Sequence, residues 1–208
     1  MDEARKSKPT LRARADKVKS FRCKNLVAVI ENPDDIGNVG AIIRNVNALG
    51  VEKAYVVTAK KILPETWEEM RSKPKLNAIS ASAIKWSFVK VFPDTTACMD
   101  HLDKKGFVSI VTSPHRKECK NAVLHEFDYT IYSKLAVWFG NERNGISTAA
   151  IERSALCVNI PMYGIVESLN LATSSGIVLY EIARQRRAFQ LELKEKVAAR
   201  KSGTAGSP

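Results

Sequence analysis

The feature that most constrains this chain is a regular alternation of short β-branched runs with longer helical patterns. Leu26–Ile30, Ala54–Thr58, Phe88–Phe92, Phe107–Thr112, Ala136–Phe139 and Cys157–Ile160 read as strands. Several are apolar on both faces, as strands buried inside a parallel sheet are. Helical patterns lie between them. Ala41–Leu49 sets Ile42, Val46 and Leu49 on one stripe and stops at Gly50, while Thr95–Lys105 opens at Asp94 and stops at Gly106. Ser147 is placed to cap a helix running to about Ser154. A last helix begins near Ser168 and runs through Ile177, Val178, Ile182 and Phe189. The expected fold class is α/β, a mostly parallel sheet with helices on both faces. The polar stretch 62–84, broken by Pro64 and Pro74, reads as an irregular excursion, and residues 202–208 as a disordered end.

A chain of 208 residues is one domain with tails. The expected division is a basic N-terminal extension (1–20), a single α/β domain (21–190) and a basic, largely disordered C-terminal tail (191–208). No apolar run is long enough to span a membrane, and no signal-peptide core follows the N-terminus. Cys23, Cys98, Cys119 and Cys157 form no C-x-x-C pair, and the three histidines no H-E-x-x-H pattern. A reduced, soluble, cytoplasmic protein without metal is the expectation. Its charge is uneven. The chain carries 33 Lys+Arg against 22 Asp+Glu, a net +11. Residues 1–20 hold seven basic against three acidic groups and residues 184–208 seven against two, so the body between is nearly neutral. Two basic ends on a neutral body suit a phosphate backbone, with Arg12, Arg14, Lys17, Lys19, Arg184, Arg186 and Arg187 as the expected RNA contacts. Basic tails that merely aid solubility are the plainer alternative.

Ligands of open α/β sheets bind at the carboxyl ends of strands, and three segments there carry chemistry. Glu31-Asn32-Pro33-Asp34-Asp35-Ile36-Gly37-Asn38-Val39-Gly40 follows the first strand and opens the helix that carries Arg44 off its apolar stripe. It is neither G-x-G-x-x-G nor a P-loop; taken alone it is also what an ordinary capped turn looks like. Phe139-Gly140-Asn141-Glu142-Arg143-Asn144-Gly145-Ile146-Ser147 repeats the strand, glycine turn and helix cap, with a carboxylate free for a ligand or for Arg44. Ile160-Pro161-Met162-Tyr163-Gly164-Ile165-Val166-Glu167-Ser168-Leu169-Asn170 is long and half apolar, as a small-molecule pocket requires, though a helix cap with a hydrophobic staple reads the same.

Asn38 with Arg44, then Gly140-Asn141-Glu142, then Ile160-Pro161-Met162 through Ser168-Leu169-Asn170 closely resemble, in that order, the three motifs of the SpoU/TrmH family. These are RNA ribose 2′-O-methyltransferases of the SPOUT superfamily, and the resemblance covers roughly residues 12–190. Lys85-Trp86, Asp128-Tyr129-Thr130 and Glu181 with Arg184-Gln185-Arg186 are similar to the tRNA (guanosine-18-2′-O) branch. Asn45-Val46-Asn47 and Ala172-Thr173-Ser174-Ser175 depart from the commoner family wording and bear on substrate choice.

The resemblance implies a C-terminal trefoil knot holding S-adenosylmethionine, and a homodimer whose active site is completed across the interface. It implies Arg44 as the catalytic arginine, with Asn38, Glu142, Ser168 and Asn170 as polar active-site groups. Thr112, Gly140, Ile160, Met162 and Leu169 match cofactor-contact positions, and no metal is implied. An arginine is normally protonated at neutral pH. Arg44 is therefore expected to stay charged, hold a phosphate and stabilise the developing alkoxide, while a phosphate oxygen or water takes the proton. Ribosomal RNA as substrate, or a non-catalytic RNA-binding module on the same scaffold, are the alternatives.

Overall fold

The structure is a computed structural model that describes residues 10–18, 21–60, 63, 64 and 66–203. Seven strands form one sheet: β1 (Cys23–Glu31), β2 (Val51–Val57), β3 (Phe88–Phe92), β4 (Val108–Thr112), β5 (Asn121–Val123), β6 (Leu135–Phe139) and β7 (Leu156–Asn159). Their order is β3-β2-β1-β6-β4-β7-β5, and every neighbouring pair is parallel. All six expected strands are present; β5 was not legible, because three half-exposed residues carry no apolar signature.

Helices cover both faces, as expected. Strand β1 sends Leu26, Ala28 and Ile30 to one face, against α2 (Ile36–Ala48), α4 (Pro74–Ile79) and α7 (Leu171–Gly203). It sends Val27 and Val29 to the other, against α5 (Thr95–Lys104) and α6 (Thr148–Glu152). Burial on both faces is why these strands read as unbroken apolar runs. A short α1 (Leu11–Val18) precedes the sheet.

Four expectations change. Helix α2 starts at Ile36, five residues before the expected Ala41; Gly37 and Gly40 in its first turns mask that start in the sequence. Glycine is a poor helix former, but a Cβ at Gly40 would run into the Ile79 side chain, so the glycine is what lets α2 lie against α4. The 62–84 excursion contains two helices, α3 (Trp67–Ser72) and α4. Thr66 caps the first through Glu69 N, and Pro74 opens the second rather than breaking it. Leu63, Met70 and Leu76 are buried there. Helix α7 begins at Leu171, not near Ser168, since Asn170 rather than Ser168 supplies the cap. It also continues to Gly203, so 191–203 is helical where a disordered tail was expected; 188–201 contains no Gly or Pro, and its residues are mostly strong helix formers. Residues 204–208 lie outside the described residues. Among the described residues no helix is long and apolar enough to cross a membrane.

Candidate active site

In an all-parallel sheet every strand delivers its following loop to the same edge. Because β1, β6, β4 and β7 are consecutive neighbours, the loops after them converge, although the loop after β1 lies over a hundred residues from those after β6 and β7. The loops after β4, β6 and β7 line a cavity of about 570 Å³, within the usual range of about 300–1,000 Å³ for small-molecule sites. Thr112, Gly140, Ile160, Met162 and Leu169, all five expected cofactor-contact residues, line it. So do Glu142, Ser168 and Asn170.

At one side of this cavity the three sequence segments are stitched together. The Asn38 Nδ2 donates to Glu142 Oε1 at 2.6 Å, and the Asp34 backbone N–H donates to Glu142 Oε2 at 3.2 Å. The Asn170 Nδ2 donates to Asn38 Oδ1 at 3.2 Å. Asn170 Oδ1 meanwhile accepts from the Ala172 and Thr173 N–H groups, capping α7. Glu142 thus orients Asn38, not Arg44. A carboxylate with a neutral donor on each oxygen fixes the amide of Asn38 and, through it, that of Asn170.

The glycine turn is built for close approach. A Cβ on Gly140 would overlap the Gly145 carbonyl carbon and the Ile146 nitrogen, both backbone. Gly145 adopts φ +68°, a left-handed conformation that glycine tolerates without strain. Asn141 closes the turn: its Oδ1 accepts from Arg143 N at 2.8 Å and Asn144 N at 3.0 Å, and its Nδ2 donates to the Asn32 carbonyl at 2.5 Å. Ser147 caps α6 as expected, accepting from Ala150 N at 3.2 Å.

Residues that the sequence did not single out complete the site. Glu31, fully buried at the end of β1, accepts from the Ser147 N–H (2.8 Å) and hydroxyl (2.6 Å) and from the Thr95 hydroxyl. It pins the far end of the glycine loop; an acid closing a five-residue apolar run was the available signal. Asp34 accepts from Lys60 Nζ at 2.8 Å and lies 3.7 Å from Arg143 Nε. The Lys60 ammonium holds the Asp34 carboxyl below the usual carboxylate range. His115 and Lys117, on the loop after β4, also face the cavity.

Arg44 stands apart. It is exposed on α2, does not line the cavity and has no hydrogen-bond or ion-pair partner among the described residues. The expected basic RNA contacts also divide. Arg184 is exposed and paired with Glu181 (2.7 Å), and Lys17 is exposed. The Arg187 guanidinium donates to the Leu49 carbonyl. Arg186 is a correction: at 7% exposure its guanidinium donates to the carbonyls of Tyr129 (3.2 Å), Tyr132 (2.6 Å) and Ser133 (2.7 Å), leaving no face for a phosphate. In sequence it is one more basic residue in a basic helix; only its position on the inner face of α7 distinguishes it. Lys19 lies outside the described residues, as do the side chains of Arg12 and Arg14.

Residues 25–180 match the SpoU rRNA Methylase family. The chain belongs to this family. Among its SpoU relatives, a tRNA (guanosine(18)-2′-O)-methyltransferase of Thermus thermophilus is 31% identical over 175 residues, which are 84% of this chain and 82% of that protein. The SpoU fold is shared with the TrmH/SpoU tRNA modifying enzyme of Aquifex aeolicus, at TM-score 0.70 and 28% identity over 86% of each chain. The SpoU methyltransferase AviRb from Streptomyces viridochromogenes, solved with the cofactor AdoMet, matches at TM-score 0.66 and 25% identity, covering 83% of this chain and 64% of that one.

Proposed function

We propose that this chain is a cytoplasmic S-adenosylmethionine-dependent RNA ribose 2′-O-methyltransferase whose target is guanosine 18 in the D-loop of tRNA. The observation that carries the reading is the Glu142–Asn38–Asn170 seam at the edge of the cavity. The cavity fits the cofactor on its own chemistry. Ile160, Met162 and Leu169 offer apolar walls, and the Gly140 turn brings backbone within reach of a purine edge. When bound, S-adenosylmethionine supplies an electrophilic methyl group on a sulfonium that departs neutral. The protein's part is orientation: Asn38 and Asn170, locked by Glu142, hold the ribose so that its 2′-oxygen faces the cavity.

Arg44 belongs to the same proposal as the charge that holds a phosphate and stabilises the developing alkoxide. Since it does not line the cavity of its own chain, a homodimer in which it serves the partner's site accounts for its placement. Exposed apolar side chains of Tyr163, Ile165, Val166, Ile177 and Tyr180 support such an interface. The body 21–190 is the catalytic domain of this reading, with the family's trefoil knot at its C-terminal side.

Incubation with methyl-labelled S-adenosylmethionine and either total tRNA or ribosomal RNA, followed by nuclease mapping, tests it. A label on the ribose of tRNA guanosine 18 is the expected result. Label confined to ribosomal RNA moves the substrate, and binding without transfer makes the chain a non-catalytic RNA module. Arg44→Ala should lower turnover about 10²–10³-fold with cofactor affinity retained, and Arg44→Lys should not restore it. Near-normal turnover in Arg44→Ala removes this arginine from the mechanism.

A further inference from the structure

Three strand-end loops at the site's edge contribute one charged residue each to a small cluster. Asp34 follows β1, Lys60 follows β2 and Arg143 sits on the turn after β6. Lys60 Nζ and Arg143 Nε approach different oxygens of the one carboxylate, at 2.8 and 3.7 Å. The Lys60 backbone is itself set by its N–H donating to Thr58 Oγ1 at 3.0 Å. Both cations nevertheless remain open to solvent, with side chains 61% and 85% exposed. With Glu142 bonded to the Asp34 N–H, two cations face two carboxylates, yet most N–H donors of Lys60 and Arg143 are unspent and open to a ligand.

The location decides what the unspent donors face. The Asp34 N–H donates to Glu142 Oε2, so the cluster is anchored directly to the Glu142–Asn38 seam. In RNA the 2′-hydroxyl and the 3′-phosphate hang from adjacent carbons of the same ribose. Any seam that seats the hydroxyl therefore has a phosphodiester beside it. We propose that Lys60 and Arg143, held apart and aimed by Asp34, clamp a backbone phosphate of the substrate RNA next to the ribose being methylated. The inference rests on the function proposed above and extends it: part of the RNA path crosses the globular body at the mouth of the site, although the basic ends carry most of the net charge. The planar Arg143 fork and the compact Lys60 ammonium supply complementary donors to the non-bridging oxygens.

The test uses the full-length protein and the double variant Lys60→Ala/Arg143→Ala. Fluorescence titration with bulk tRNA at several salt concentrations should show affinity falling about five- to tenfold. The slope of log affinity against log salt should flatten by about 0.7–0.9, one phosphate's share. Calorimetry should show cofactor affinity unchanged, and thermal unfolding should show the fold intact. Lys60→Arg/Arg143→Lys should keep the wild-type slope. Lys104→Ala/Lys105→Ala removes equal charge at the opposite end of the sheet and should leave tRNA affinity and slope as they are. An unaltered slope in Lys60→Ala/Arg143→Ala, or an equal loss in the Lys104/Lys105 pair, overturns the clamp while leaving the methyltransferase reading standing. Wild-type protein that binds no RNA and methylates none overturns both.

Discussion

Arg186 offers the sharpest separation of structure from function, because its sequence neighbours point to RNA and its surroundings do not. Arg186→Met keeps the aliphatic stem but removes the guanidinium from three carbonyls on the 129–133 loop. Each bond from a charged donor contributes about 1.5–3 kcal/mol. The sum is not fully lost, since Tyr132 is half-buried and Ser133 exposed, and water takes over at their carbonyls. Tyr129 is fully buried, so its carbonyl loses a partner that water replaces poorly. Removing the charge also relieves the cost of having buried it. The balance is a destabilisation of about 3 kcal/mol, or a melting point lower by about 6–12 °C for a chain of this size. Circular dichroism melts read the stability, and tRNA titration at a temperature where the variant is fully folded reads the binding. Arg186→Met should melt early yet bind tRNA normally, whereas Arg184→Ala should barely move the melt and weaken binding. If Arg186→Met melts within 2 °C of wild type and binds tRNA as poorly as Arg184→Ala, the carbonyl cage is not what holds this arginine, and the reasoning fails.

Three further outcomes are expected. Gly140→Ala forces the turn open against the Gly145–Ile146 backbone, which should cost about 1–3 kcal/mol in urea denaturation and at least tenfold in cofactor affinity by calorimetry. Leu169→Asp places a carboxylate against the apolar wall of the cavity, at several kcal/mol of desolvation; cofactor binding should collapse while the circular dichroism spectrum persists, and unchanged affinity relocates the pocket. Burial pushes the Cys98 thiol up to about 12 and the Cys157 thiol to about 11, from an ordinary value near 9. The unfolded chain therefore ionises first, so the thiols' contribution to stability is constant below pH 9 and falls as pH climbs toward 11–12, by up to about 1.4 kcal/mol per unit per thiol. Urea midpoints at pH 8, 9.5 and 10.5 should show the decline, with a shallower one in Cys98→Ala.

The sheet and the faces of its helices were legible because burial on two sides writes itself as continuous apolar runs and helical stripes. Leu26–Ile30 and Ala136–Phe139 needed no partner to be recognised. What escaped were features that exist only between segments. The early start of α2 hides behind Gly40, whose reason is the Ile79 side chain across a helix contact. The role of Glu31 depends on Ser147 and Thr95, more than sixty residues away. Arg186, expected on the surface, is inside, while Arg44 is exposed outside the cavity of its own chain. Local charge says nothing of which side of a helix the rest of the chain will cover. The structure brings the motif residues Asn38, Glu142 and Asn170 together, but the order of their bonds, with Glu142 serving Asn38 rather than Arg44, required the assembled loops.

The strand order has a kinetic meaning. Asn38 meets Glu142 across 104 positions of sequence and Asn170 across 132, and β1, paired on one side with β2, waits on the other for the much later β6. Contacts this distant close late, since loop-closure entropy is spent before they return anything, and sheets wired this way fold slowly. A nascent chain that has released only β1 to β5 holds Asn38 but neither Glu142 nor Asn170, and lacks most of the cavity wall. Helix α7 must be translated before Asn170 has anything to cap, and the seam closes only once Glu142 and Asn170 are both present. Until then β1 has an open flank where β6 belongs, and that flank is where aggregation during synthesis would begin.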